Sequence, residues 1–599
     1  MRTIHICLTC ILLGTAVQAA DLRLGFLFQD HMVMQREISA PVWGWADPGQ
    51  QVTVSFAGET QTATADKDGY WIAMFKGLKA SDVGRVLRVT DGDQQIERKD
   101  VLVGEVWFSA GQSNMARSVG MDCKTFPVVA ARIGETDFPD VRYIRFGGTP
   151  SREPLKDRTD AGVSWKAMSD ETFLNSEAIP FFFGRQLNED LDVPIGLVQV
   201  GVSGTTQTAW ASKEVLDRMH EDGISKSFEE WTGKRANLET PKKNEPSVLF
   251  NSQIYPFAPF GMRGLIWHQG EAGPQEQHAE RMVEMLKSWR QLFGHDFIYL
   301  WGGMTRNASK SPPLVPEAQG KFYRHMRNRQ FMDAQKLFGY DSTSAFVDFY
   351  DLGNGYGHWG QKDIAGMRFA KAALTLAYGQ PQNFAGPQKI DASIVPGKAT
   401  VSFTHVGEGL AYQPSLNGIS GFVFYDGKQA RWIEPRIESP DTLVFEDPAI
   451  TPRTGIFYGW GGNPHETLFN SEGLPSSSFM VGKSKQPGGD EGSVVLLDIV
   501  KGHKKATLNV LHVRRHVVTC AILPRKLNEN TTLRFYLPEE WSGVAVELDG
   551  EKVKTGPVTR DEQGRRFMEF EAEANRWSYM LYDPAREAEA REEVDFSRS

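Results

Sequence analysis

The chain of 599 residues has only four cysteines, no block of basic residues and, beyond its N-terminal segment, no apolar run long enough to span a bilayer. Each shortage closes off a class of function. No Cys/His cluster has zinc spacing, so neither a metal nor a cofactor is expected. Cys7 and Cys10 lie in the N-terminal segment, which leaves Cys123 and Cys520. One disulfide between these two is possible in an oxidising compartment, but cysteines so far apart in sequence are expected to be unpaired. The net charge of −9 and pI near 5.9 give nucleic acid and anionic membranes no electrostatic attraction. No repeat of fixed period is present.

What the chain does contain is ordinary for a soluble protein: 40% hydrophobic and 24% charged residues, enough for two to four domains. Arg2, the apolar run Ile6 to Val17 and the small residues Ala19-Ala20 read as a signal peptide over 1–20, so a secreted or periplasmic location is expected, without membrane insertion once the signal is removed. Residues 21–100 alternate short apolar stretches with turn signals such as Asp47-Pro48-Gly49, which predicts a β domain. From 101 to 385 strands alternate with helical periods. Val101 to Ala110, Ile195 to Val202, Gly264 to Gln269, Phe297 to Trp301 and Ser344 to Tyr350 are the expected strands. Met282, Leu286, Trp289 and Phe293 share one helical face, and Ile364, Met367 and Leu374 another. That alternation predicts a parallel sheet with helices on both sides. Residues 386–485 and 486–585 return to β texture, divided by a Pro-Gly-Gly-Asp-Glu-Gly stretch at 487–492, and the charged tail 586–599 is expected to be disordered.

The chemistry concentrates where expected strands end. Gly111-Gln112-Ser113-Asn114-Met115 follows the strand ending at Ala110. A serine there projects its hydroxyl at the carboxyl edge of the sheet, and its N–H lies at a helix N-terminus suited to an oxyanion. Ser113 could equally cap a helix, but its setting favours a nucleophile. Val202-Ser203-Gly204-Thr205 ends the next strand, where Gly204 lets backbone N–H approach a substrate oxygen. His358 follows the strand from Ser344 and precedes a helix, as a general base would, while His268 lies in an apolar strand and reads as structural.

These blocks resemble the sialate O-acetylesterases and related carbohydrate acetylesterases of the SGNH hydrolase superfamily. The likeness runs from His31-Met32-Val33-Met34-Gln35-Arg36 through Gly104-Glu105-Val106-Trp107 and Gly264-Leu265-Ile266-Trp267-His268-Gln269-Gly270-Glu271 to Leu468-Phe469-Asn470-Ser471-Glu472-Gly473-Leu474-Pro475. It implies a flavodoxin-like three-layer α/β/α core flanked by β-sandwich-like domains. It further implies that Gln269 helps polarise the acyl carbonyl, that Asn251 belongs to the site, and that Glu271 orients neighbours or binds substrate. The family's D-x-x-H arrangement would place an acid at position 355, which here is Gly, so the orienting acid is open: Asp351 first, Asp348 in reserve, or none. The expected substrate is an acetylated carbohydrate, sialic acid or a hemicellulose such as xylan or xyloglucan, hydrolysed through an acetyl-serine. Two rivals stand beside it. One is an inactive carbohydrate-binding protein of the same fold; the other is a glycosidase using Glu271 and Asp351 as its paired carboxylates.

Overall fold

The change of texture near residue 100 falls inside a single strand. In the computed structural model, β1 (Gln95–Gly111) is a strand of 17 residues whose polar first half pairs with Ser81–Thr90 and whose apolar second half is fully buried. The structure describes residues 22–594 except 132, 159, 161, 234–238, 273–276, 306–341, 354–356, 413–420, 427–429, 460–466, 483–496, 502–506, 514–516, 524–530, 538–540, 549, 563, 565 and 573–578. The signal-peptide reading therefore lies outside the described residues. So does the boundary expected at 487–492.

Before β1, Ser39–Trp45 pairs with Tyr70–Lys76, and Gln51–Phe56 turns through Ala57-Gly58 into Glu59–Thr64. Both turn residues have positive φ, 53° and 83°, as a two-residue hairpin requires. This β region has no core of its own: Trp43, Phe56, Trp71 and Val89 pack in one cluster with Phe108, Trp210, Trp267 and Trp289. A buried carboxylate binds the two parts further, since Glu105 on β1 accepts from Gln35, Arg36 and Arg263.

After β1 come α1 (Ser113–Ala116), α2 (Val119–Thr125), β2 (Phe138–Arg145), β3 (Lys166–Met168), α3 (Ala178–Leu191), β4 (Ile195–Gln199), α4 (Lys213–Glu221), β5 (Gly264–His268), α5 (His278–Phe293), β6 (Ile298–Gly302), β7 (Ser344–Val347) and α6 (Lys362–Tyr378). The core strands lie in the order β3-β2-β4-β1-β5-β6-β7, all parallel except the edge strand β3. Alternation along the strands sends residues to opposite faces. Trp107, Ile266 and Leu300 pack with Phe182 of α3 and Phe369 of α6; Phe108, Trp267 and Trp301 pack with Met282, Leu286 and Trp289 of α5. The result is a mixed α/β fold in which β1 is the strand where the chain turns from one half of the sheet to the other. A crevice forms at the carboxyl end of such a strand.

Two further β-rich regions follow. Among the described residues of 388–482, two four-stranded sheets and a two-stranded one surround Val401, Phe403, Phe422, Leu443, Phe445 and Phe479. Residues 497–582 form four- and five-stranded sheets around Leu533, Phe535, Trp541, Met568, Phe570 and Leu581. The tail corrects one expectation: Glu587–Val594 is helical, with Ala590 buried and Arg591 bonded to Glu547 and, one turn back, to Glu587. Cys123 is a free thiol, and the Cys520 side chain lies outside the described residues. Among the described residues no helix is long and apolar enough to cross a membrane.

Candidate functional site

Strand pairing brings the sequence blocks to one edge. β1 lies between β4 and β5, with Ser109 opposite Gln199 and Gly111 opposite His268. The pairing continues past the strands: Val202 N–H donates to Gly111 O and Gln112 N–H to His268 O. Gly111 has φ +134°, and a Cβ there would sit 2.2 Å from His268 O. Only glycine fits this approach, so the chain can turn at once from β1 into α1. Ser113 is the first residue of α1 and half-buried, with its N–H among those that a helix leaves without an internal acceptor.

The loop after β4 places Gly204 at φ +70°. Its carbonyl accepts from Asn244 Nδ2 at 3.0 Å and that of Ser203 from Lys243 Nζ at 2.6 Å, so both carbonyls turn toward the 243–244 segment. Gln269, after β5, is fully buried. Its Nε2 donates to Thr205 O and Ala272 O, both at 3.0 Å, and contacts Gln112 Oε1 at 3.3 Å. An amide nitrogen carries two hydrogens. Those of Gln269 are taken up in bracing three loops. Asn251 is likewise committed elsewhere: its Nδ2 holds Ser151 O and Arg152 O at 3.2 and 2.7 Å, fixing a neighbouring loop.

Glu271 lies beside Asn114, the chain neighbour of Ser113. Its Oε1 accepts from Asn114 Nδ2 at 2.7 Å and meets His268 Nε2 at 3.2 Å. His268 Nδ1 faces Gly302 O at 3.1 Å, and a carbonyl can only accept, so Nδ1 carries a hydrogen. Asn114 is buried and fully engaged, because its second N–H donates to Gly357 O at 3.0 Å and its Oδ1 accepts from Lys362 Nζ at 2.6 Å. Through Gly357 the amide ties the His358 segment to α1. Asn114 and Lys362 escaped the sequence reading; adjacency to Ser113 was the one signal for Asn114, and Lys362 reads there as an ordinary helix-face cation.

His358 is half-buried, and burial first, then the charges of Arg117 and Lys362, lower its pKa below the usual imidazole value. Glu271 and Asp122 pull the other way. Asp122 is bound to Arg117 in a buried ion pair, so its field is largely cancelled locally. Glu271 is held by Asn114 and lies against His268. Asp351, the expected orienting acid, has both its oxygens gripped by Arg368 at 2.7 Å. Asp348 is buried, accepts from Tyr350 N–H and Ser477 Oγ, and has its pKa pushed up to about 6, chiefly by burial. Beneath the site, buried Glu177 accepts from Ser109 Oγ at 3.1 Å and is pushed up to about 7 by burial.

A serine hydroxyl at the head of a helix, a histidine whose segment is tied to that helix and a carboxylate beside the tie are the residue types that acyl transfer uses. Among the described residues no three His, Cys, Asp or Glu side chains cluster as metal ligands. Comparison with known proteins agrees in kind. Residues 103–344 match the family described as carbohydrate esterase, sialic acid-specific acetylesterase. Sialate O-acetylesterase of Mus musculus is 23% identical over 78% of this chain and 97% of its own. That of Rattus norvegicus is 25% identical over 76% and 94%. A solved carbohydrate acetylesterase from Xanthomonas citri superposes with a TM-score of 0.65 at 26% identity, covering 77% of this chain and 99% of that one.

Proposed function

We propose that this chain, a sialate O-acetylesterase-like ester hydrolase, is a secreted carbohydrate O-acetylesterase of the SGNH type working through an acetyl-serine. The single observation that carries the reading is Ser113 at the head of α1, over the carboxyl end of the central strand and beside the Asn114–Gly357 tie to the His358 segment. The proposed core is a three-layer α/β/α domain, with the β-rich regions 21–100, 386–485 and 486–585 as accessory domains. The Arg2-to-Ala20 segment supports export.

In the proposed reaction His358 accepts the Ser113 proton as Oγ attacks the acetyl carbonyl carbon. The C–O π pair moves onto oxygen, which rests on the N–H groups of Ser113 and Gly204. Collapse expels the sugar alkoxide, which takes the proton from His358 and leaves acetyl-Ser113. Water, deprotonated by His358, repeats the sequence, releasing acetate and restoring the hydroxyl. Glu271 is assigned as the carboxylate that stabilises the imidazolium. Gln269 and Asn251 support the loops rather than touch the ester.

The sugar is one that presents an acetyl ester to this edge: acetylated sialic acid or an acetylated hemicellulose. The test is acetate release from acetylated sialic acid, xylan, xyloglucan and 4-nitrophenyl acetate by the wild type and Ser113→Ala. Loss of at least about a thousandfold in the variant is expected. A folded wild type that releases acetate from none of them, yet binds one, would replace the esterase by the carbohydrate-binding reading.

A further inference from the structure

The proposed reaction leaves one buried charge without a task. Lys362, in the first turn of α6 and four residues after His358, is fully buried, and its Nζ lies 3.9 Å from the centre of the Trp359 ring. An ammonium costs several kcal/mol to bury and is retained where its hydrogen bonds do something specific. Here Nζ donates at 2.6 Å to Asn114 Oδ1. An amide looks nearly the same turned by 180°, so what faces it decides which end is oxygen. The ammonium can only donate, whereas the Glu271 carboxylate and the Gly357 carbonyl can only accept. With Lys362 present, one orientation satisfies all three partners. The reversed amide would set its oxygen against the other two acceptors.

We propose that Lys362 is a positioning residue for the hydrolase: its ammonium fixes the Asn114 amide, which in turn holds Glu271 and the Gly357–His358 segment against the helix that carries Ser113. This rests on the Ser113–His358 reading of the site. The same cation acts on His358 through space. The strongest charged influences on that imidazole among the described residues come from separate elements: Arg117 at the end of α1, Asp122 on α2, Glu271 after β5 and Lys362 on α6. Arg117 and Lys362 oppose its protonation. Lys362 is itself pushed down to about 7, first by burial and then by Arg117, with Asp122 and Glu271 resisting. It is therefore charged in the range, below the ordinary imidazole value, where His358 titrates.

The experiment compares Lys362→Met with wild type on 4-nitrophenyl acetate across pH, and follows the His358 imidazole by NMR titration without substrate. A fall in kcat of about a hundredfold with KM held within about twofold is expected, as for a misplaced catalytic group. The imidazole midpoint and the acid limb of kcat/KM should both move to higher pH. Wild-type kcat, or an imidazole midpoint that does not move, overturns the proposal while leaving the esterase reading to the Ser113→Ala test. Should Lys362→Met not fold, Asn114→Asp keeps the Lys362 contact but sets an acceptor against Glu271 and Gly357 O. A kcat fall of at least about tenfold is then required, and an unchanged kcat overturns the proposal.

Discussion

Two carboxylates, Asp351 and Glu271, lie on elements flanking the His358 segment, and they are held in opposite ways. Asp351 sits on the turn after β7, and both its oxygens are gripped by the guanidinium of Arg368 on α6. Charge meets charge in a fork-to-fork pair, and little field is left over. Glu271 sits after β5, and one of its oxygens is shared by the neutral amide of Asn114 and the ring of His268. The Asn114 amide is neutral and orients the carboxylate without cancelling it. An acid suited to stabilise an imidazolium is one whose charge survives its own hydrogen bonds, and closeness in sequence to the histidine does not secure that.

The sharpest way to break the comparison is to neutralise each acid in turn. Glu271→Gln keeps the shape and removes the charge, and kcat is expected to fall on the order of ten thousandfold, the loss seen when a triad acid becomes an amide. Steady-state rates on 4-nitrophenyl acetate check it. A loss under about fivefold would return the role to another group. Asp351→Asn should do the reverse. Arg368, with a side chain 7% exposed, would lose its counter-charge, and breaking such a pair costs about 3 kcal/mol of stability. Urea unfolding should show that loss while kcat stays within about twofold. A large fall in kcat with unchanged stability would make Asp351 the orienting acid after all.

The contrast also marks where a sequence can and cannot be read. The places of the candidate residues were legible, because strand ends and glycine turns announce themselves: Ser113, Gly204 and Gln269 all follow buried strands. Their partners were not. Arg368 and Asp351 are 17 positions apart, and no pattern along the chain says that the helix α6 returns its arginine to that turn. Gln269 looked free to donate because its acceptors, Thr205 O and Ala272 O, belong to loops whose closeness is a tertiary fact. Boundaries failed for local reasons. β7 stops at Val347 rather than running to Tyr350 because Asp348 Oδ1 captures the Tyr350 N–H and starts a turn. The boundary drawn at 100/101 falls inside a strand that moves from a half-exposed to a buried setting. The tail was read from its charge, whereas Glu, Ala and Arg are also helix formers, and Arg591 reaches Glu587 one turn back.

Asp348 offers the finest test of the division between an acid that serves stability and one that serves rate. Its carboxyl is buried, so the folded protein holds its proton up to about pH 6, above the ordinary aspartate value of 3.8. Folding therefore takes up a proton between those two values. The stability this group contributes is complete below about pH 3.8 and declines as pH rises through about 6. Asp348→Asn places a neutral amide there, whose oxygen can still accept from Tyr350 N–H. The variant should match the wild type in acid, gain on it as pH passes 6, and leave the acid limb of kcat/KM where it was, since Asp348 is not among the largest influences on the His358 imidazole. Unfolding curves at pH 5 and pH 8 give the first comparison and initial rates the second. If the acid limb moves with Asp348 instead, the two carboxylate groups are one electrostatic system, and the separation drawn between Glu271 and the Asp348–Asp351–Arg368 cluster fails.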